Sequence, residues 1–272
     1  MAALSMIFWA AAIILAVKFG LLRGIDNIAS VLKLSAKARG QVTGYATSVP
    51  ELVCLVAAGL AGVWEAGLWN IASSNIINAV LMLLAVLYHR RFSELLNRRF
   101  LDEVGFAALA VAVPLVLMLS GMDTQWALIP ILLAFFVVYR VVDRRVNPPD
   151  VQARDSDEPG GSLSLGLMLG IPALVAIAVS GVFLGNATAA VVQQLNVHPA
   201  VAGWILGVVT SVPEMVSFFT IYATARKRRL QDLNDTQEAL DNLTGSNMAN
   251  VGIVYPVGLL ACLLGSTFLG GG

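Results

Sequence analysis

The chain has 272 residues, 58% hydrophobic and 12% charged, with 17 basic and 17 acidic side chains and a mean hydropathy of +0.80. A water-soluble domain is about one quarter charged, so the polar surface is too small to coat a globule of this size in water. Composition excludes a soluble domain, and nothing in it calls for a nucleic-acid partner.

The first apolar run, 2–17, has no basic region before it, and Lys18 and Arg23 follow it. It reads as a retained helix rather than a cleaved leader. Runs 42–64 and 66–88 come next, the former interrupted by Pro50 and Glu51 in "GYATSVPELV". Runs 104–122 and 126–142 complete a first half. The stretch "DRRVNPPDVQARDSDEPGG", 143–161, is polar and rich in Pro, Gly and acid, and reads as a linker. Runs 163–185, 199–225 and 243–269 follow, with the charged "RKRRLQDLNDTQEALD", 226–241, placed at the membrane surface. A span needs about 20 apolar residues, and helices satisfy their own backbone groups in lipid. The expectation is an all-α membrane protein of about eight transmembrane helices, with the short first and fifth runs borrowing from their flanks.

Few residues outside the spans suggest chemistry. Cys54 and Cys262 lie in apolar runs and read as small core residues; His89 and His198 lie far apart near helix ends. No His/Cys cluster suggests zinc, no glycine-rich loop suggests phosphate, and no nucleophile–base pair suggests an enzyme. Glu65 and Asp123 are placed in outer loops as solvated surface. Asn186-Ala-Thr188, also placed in an outer loop, matches a glycosylation signal that is read as chance.

All 17 Lys and Arg residues lie at the end of, or after, the first, third, fifth or seventh run; the even-numbered loops contain none. The positive-inside rule then puts the basic loops in the cytoplasm and both termini outside.

The sequence also repeats. "GQVTGYATSVPEL", Gly40–Leu52, aligns with "GWILGVVTSVPEM", Gly203–Met215, and "SSNIIN", 73–78, aligns with "GSNMAN", 245–250. Two paired motifs in one order indicate internal duplication. Five spans separate the copies, so they enter the membrane from opposite sides. Inverted repeats with polar, helix-breaking segments in matching places mark a secondary transporter with its site near the midplane. The organisation expected is a first half, 1–142, with a repeat at 40–80; a cytoplasmic linker, 143–161; and a second half, 162–272, with a repeat at 203–252.

An ionised carboxylate in hydrocarbon costs several kcal/mol, about 2.5 or more. Glu51 and Glu214 therefore need protons, partners or cations, and the apolar runs offer them no Lys or Arg away from their ends. Two carboxylates match the charge of one divalent ion, and Ca²⁺ takes roughly 6–8 oxygen ligands. Pro50 and Pro213 cannot donate to the carbonyls four residues back, which would free those of Ala46 and Val209. Thr47, Ser48, Thr210 and Ser211 add hydroxyls. Ser74 and Asn78 share one helix face, as do Ser246 and Asn250. Gly40/Gly44 and Gly203/Gly207 would let helices pack closely. Taken singly, a membrane Ser, Thr or Asn is more often structural glue than a ligand; the two acids reverse that preference.

At Thr47–Glu51 with Ser74–Asn78, and at Thr210–Glu214 with Ser246–Asn250, the chain resembles the sodium/calcium exchanger family of the calcium/cation antiporter superfamily. The resemblance implies a helical exchanger fold with five spans per half, here lacking the last two. It implies exchange of Ca²⁺ for Na⁺ at one central site by alternating access, in a plasma membrane such as a prokaryotic inner membrane. It gives Glu51 and Glu214 as the main ligands. Thr47, Ser48, Ser74, Asn78, Thr210, Ser211, Ser246 and Asn250 complete the sites, together with backbone carbonyls. No resident cofactor is expected, and the partners are the bilayer, Ca²⁺, and Na⁺ or H⁺. The nearest alternative is H⁺/Ca²⁺ antiport through the same acids, and a more distant one is a non-transporting membrane protein. Two departures stand out: Ser73 replaces the usual glycine, which is expected to loosen one helix contact, and residue 250 is Asn where some relatives carry Asp.

Overall fold

A computed structural model describes residues 2–146, 161–228 and 233–269, and all regular structure among them is helical. Helix α1 (Ala2–Ala16) passes through a π-helical turn, Val17–Leu21, into α2 (Leu22–Val31), making one 30-residue rod. Lys18 and Arg23 do not end it, because both cations lie against the Phe19 ring, 5.5 and 5.3 Å from its centroid. Helix α3 (Ala36–Thr47) starts where the Ser35 hydroxyl accepts the Ala38 amide. It gives way at Ser48 to α4 (Val49–Leu60), and α5 (Trp64–Tyr88) follows as one unbroken helix. A short α6 (Phe92–Leu95) and a 3₁₀ turn, Arg98–Phe100, lead into α7 (Leu101–Leu119) and α8 (Leu128–Val146).

The second half opens with α9 (Leu163–Leu195), capped by Ser162 and closed by Asn196 in the left-handed region. Helix α10 (Pro199–Thr210) breaks at Ser211 and continues as α11 (Val212–Arg228). Helix α12 (Leu233–Ala249) passes through a second π-helical turn, Asn250–Val254, into α13 (Tyr255–Leu269). Among the described residues, seven helical segments are long and apolar enough to cross a membrane: Ala2–Val31, Ala36–Leu60, Trp64–Tyr88, Arg98–Leu119, Leu163–Gln194, Pro199–Arg226 and Leu233–Thr267. The expected fifth span, 126–142, is helical as α8, but Arg140, Asp143, Arg144 and Arg145 fall in its last two turns and it is not among the seven.

Several boundaries move. Helix α9 absorbs most of the expected outer loop 186–198, so Asn186 is helical and Thr188 is buried, donating to the Leu184 carbonyl. Most of the linker 143–161 lies outside the described residues, as do 229–232 of the charged stretch. Arg226 is exposed, but from Asp235 on that stretch turns inward: Asp235, Gln237 and Asp241 are buried in α12. Asp123 is not merely solvated, since it accepts the Trp64 indole N–H at 3.0 Å and its carbonyl accepts the Tyr255 hydroxyl at 2.8 Å.

The two repeats interlock through their glycines. A Cβ at Gly44 would lie 2.7 Å from the Ser246 amide nitrogen, and one at Gly40 would lie 2.9 Å from the Asp241 Cβ. In the mirror-image contact, a Cβ at Gly203 would lie 2.6 Å from the Ala66 carbonyl oxygen, and one at Gly207 would lie 3.0 Å from the Ser74 nitrogen. Helix α3 therefore packs backbone to backbone on α12, and α10 packs the same way on α5, each pair joining one repeat to the other. Ser73 does not loosen its contact. It faces Gly207 and donates to the Gly203 carbonyl at 3.2 Å, tying α5 to α10.

A buried polar chain crosses the same end of four helices. Lys37 of α3 pairs with Asp143 of α8 at 2.5 Å, and Gln41 donates to both Asp143 and Asp241. Gln237 donates to Asp241 at 2.5 Å and to Glu103 of α7 at 2.9 Å. Buried charges persist where each is paired and hydrogen-bonded. This chain fixes the heights of α3 and α12, which carry polar groups of both repeats one to two turns further along.

Candidate cation site

Each repeat contributes one broken helix and one straight run of polar residues. Each break falls two residues before a proline. Ser48 has φ −82° and ψ −5°, and Ser211 has φ −84° and ψ −2°; each joins two helices end to end. The carbonyls assigned to Ala46 and Val209 are released from regular helical bonding, but each accepts the amide two residues on, from Ser48 and Ser211 respectively. A carbonyl the sequence reading missed is that of Gly44, which accepts both the Thr47 hydroxyl at 3.1 Å and the Ser48 hydroxyl at 3.0 Å. No side-chain pattern could have pointed to it, because its role is set by the local turn.

Glu51 and Glu214 are both fully buried at the first turns of α4 and α11. Their surroundings obey the duplication. The Ser74 hydroxyl donates to Glu51 Oε1 at 2.9 Å, and the Ser246 hydroxyl donates to Glu214 Oε1 at 3.0 Å. Ser74 also meets Ser211 at 3.1 Å, and Ser246 meets Ser48 at 3.1 Å, so each serine ties its own glutamate to the other repeat's break. Thr210 neighbours the Glu51 carboxylate and Thr47 that of Glu214, again across the repeats.

The asparagines cross as well. Asn78 Nδ2 donates to Asn247 Oδ1 at 3.1 Å, and Asn250 Nδ2 donates to Asn75 Oδ1 at 2.9 Å. Asn75 is in turn fixed by donating to the Ala110 carbonyl, and Asn247 by donating to the Asn75 carbonyl. Asn75 and Asn247 lie inside the repeated motifs but were not among the predicted site residues. They spend their donors on backbone and offer an oxygen to the neighbouring amide, which orients Asn78 and Asn250.

Four side-chain oxygens remain without a hydrogen-bond partner in this fully buried cluster: Glu51 Oε2, Glu214 Oε2, Asn78 Oδ1 and Asn250 Oδ1. All four are acceptors. Polar atoms in an interior are nearly always paired, and an unmade bond costs about 1–3 kcal/mol each. Buried acceptor oxygens, two of them on acids, fit a hard cation and fit no anion. Eight of the ten predicted side-chain ligands lie at the two breaks or bond to residues there, while Asn78 and Asn250 lie one helical turn beyond Ser74 and Ser246 and are bonded to Asn247 and Asn75. The buried Lys37 does not neutralise either glutamate; its ammonium is committed to Asp143.

Solved structures of the sodium-calcium exchanger NCX_Mj have this fold. One, soaked with 10 mM Na⁺ and 10 mM Sr²⁺, is 19% identical and superposes with a TM-score of 0.56, covering 96% of this chain and 83% of that one. Another, soaked with 10 mM Na⁺ and zero Ca²⁺, is 22% identical with a TM-score of 0.55, covering 96% and 84%. No curated protein matches the chain at a significant level. A family model described as sodium/calcium exchanger protein matches residues 2–143 and 165–268, taking in both halves and both copies of the repeat. Duplicated motifs, interlocked helices and a match over nearly the whole chain agree: this protein belongs to the sodium/calcium exchanger protein family.

Proposed function

We propose that the chain exchanges Ca²⁺ for Na⁺ across a membrane by alternating access at the site formed by Glu51 and Glu214. The observation that carries this reading is the set of four orphaned acceptor oxygens, two from each repeat, around two fully buried carboxylates. A charge of −2 in a low-dielectric site is balanced by one divalent or two monovalent cations. Adding Na⁺ to a site already neutralised by Ca²⁺ builds uncompensated charge, which is costly away from water. The two ions therefore compete, and competition for one site is the elementary requirement of exchange. The hydroxyls of Thr47, Ser48, Ser74, Thr210, Ser211 and Ser246 supply further oxygens, and the Ala46 and Val209 carbonyls each keep a second lone pair for an ion.

Because the repeats are inverted, the bonds that join Ser48 to Ser246 and Ser74 to Ser211 are equivalent contacts seen from opposite faces. Loosening either opens the site toward one side while the other stays shut. Flux of Ca²⁺ into vesicles reconstituted with the full chain tests the whole reading. An outward Na⁺ gradient is expected to drive uptake that vanishes when the gradient is dissipated. Uptake that follows only a proton gradient would make H⁺ the counter-ion, and no uptake under either gradient would overturn antiport.

The orientation proposed is termini outside and basic loops in the cytoplasm, in a plasma membrane. It is supported by the sequence, in which every Lys and Arg lies at the end of, or after, an odd-numbered apolar run. In a background with Cys54 and Cys262 replaced by Ala, a cysteine at Met122 is expected to react with an impermeant thiol reagent on intact cells. One at Leu96 is expected to react only after permeabilisation. Both positions are exposed, and the reverse pattern would invert the topology.

A further inference from the structure

Asn70 lies on α5, one helical turn before Ser74 and on the same face, and outside the motif that repeats. It is fully buried. Its Oδ1 accepts the Thr210 hydroxyl at 3.2 Å, while its Nδ2 has no hydrogen-bond partner. Thr210 also neighbours the Glu51 carboxylate, whose Oε2 is orphaned too. Thr210 has a single proton to give. A hydroxyl can ligate a cation only through its lone pairs, so that proton must be drawn away from the ion by some other acceptor.

We propose that Asn70 is a positioning residue of the cation site, holding the Thr210 proton away from Glu51 so that the hydroxyl oxygen and the carboxylate face the same cation. This rests on the exchange reading given above. The same three groups have a second arrangement. With the Asn70 amide turned by half a rotation, Nδ2 donates to Thr210 Oγ1 and the Thr210 hydroxyl, keeping its proton, turns to donate to the Glu51 carboxylate. That gives partners to Nδ2 and to the carboxylate, leaves Asn70 Oδ1 without a donor, and turns Thr210 from a cation ligand into a cap on the acid. Asn70 and Thr210 thus form a two-position pair, ready for the ion in one position and capping the acid in the other.

The second repeat has no such pair. Thr47 gives its proton to the Gly44 carbonyl, which belongs to a helix and cannot turn. Asn242, which aligns with Asn70 at the same offset of 172 that relates Ser74 to Ser246, donates its Nδ2 to the Ser217 hydroxyl at 2.8 Å, and its Oδ1 receives no threonine hydroxyl. The two half-sites are therefore unlike although their motifs match.

The test is equilibrium binding of radioactive Ca²⁺ to the purified full chain in detergent, for wild type, Asn70→Leu, Thr210→Val and the double variant. Each single change is expected to weaken binding roughly tenfold, the scale of one hydrogen bond to a charged group. The double variant is expected to bind no more weakly than either, because Asn70 acts only through Thr210. In an Asn70→Asp background, which keeps an acceptor for the Thr210 proton, Thr210→Val is expected to cost the same factor as in wild type. Asn70→Ala replaces the leucine if that variant does not fold. Wild-type binding by Asn70→Leu or Asn70→Ala, or effects that multiply in the double variant, would overturn the positioning role. Failure of the wild type itself to bind Ca²⁺ would overturn the exchange reading beneath it.

Discussion

Glu51→Gln and Glu214→Gln are each expected to bring Ca²⁺ uptake down to the level of protein-free vesicles. Glutamine keeps an oxygen to accept the Ser74 or Ser246 hydroxyl, so the packing around the breaks survives. What changes is charge: one carboxylate is left against a divalent ion in a site with both acids buried. Removing one partner of a buried charge interaction costs about 2–5 kcal/mol, which corresponds to at least roughly thirtyfold in affinity. Glu65→Gln is the control, because Glu65 is exposed, and it should transport as wild type. Size-exclusion profiles identical to wild type, together with lost uptake, would assign the loss to the site rather than to folding. Wild-type uptake by either glutamine variant would remove the two acids from the mechanism.

The second large effect is structural. Gly44→Ala puts a methyl group 2.7 Å from the Ser246 nitrogen, against backbone that cannot rotate away. Helices α3 and α12 must separate, and with them Ser48 from Ser246. Overpacking of this kind costs about 1–3 kcal/mol, and the detergent-solubilised protein should unfold several degrees lower. Transport should fall further than stability, because the separated pair belongs to the site. Gly105→Ala is the informative counterpart. A Cβ there meets nothing within 4 Å, and alanine in a helix interior is favoured over glycine by about 0.5–1 kcal/mol, so that variant should be as stable as wild type or more so. Equal melting of the Gly44 and Gly105 variants would mean that the repeats are not held by close backbone contact.

Much of this was legible because it rests on periodic or repeated features. Spans announce themselves by length and hydropathy, and a duplication carries its own internal control: Glu51 is matched by Glu214, Ser74 by Ser246. The misreadings share a physical cause, since each concerns a group whose partner lies far away in sequence. Lys37 counts as a cytoplasmic charge whether it is solvated or bound to Asp143, more than a hundred residues on. Asp241 reads as surface until Gln41 and Gln237 are brought against it. Ser73 looks like a poor substitute for glycine until the Gly203 carbonyl appears opposite its hydroxyl. Helix ends drifted for a different, local reason: α9 continues through Asn186 and Thr188, and Thr188 satisfies its hydroxyl on its own helix, which composition does not reveal.

The glycine contacts between α3 and α12, and between α10 and α5, also set a schedule for biogenesis. Each repeat's groove is filled only by the other, and Glu214 follows Glu51 by 163 residues. At a synthesis rate of roughly 5–20 residues per second, the first repeat waits about 8–33 s in the bilayer for its counterpart. During that interval Asn75 and Asn78 lie in lipid without Asn250 and Asn247, and the face of Gly40 and Gly44 is open to any helix that fits it. A nascent chain of this design carries its most adhesive surfaces early and covers them late, so its yield depends on what attends it while it waits.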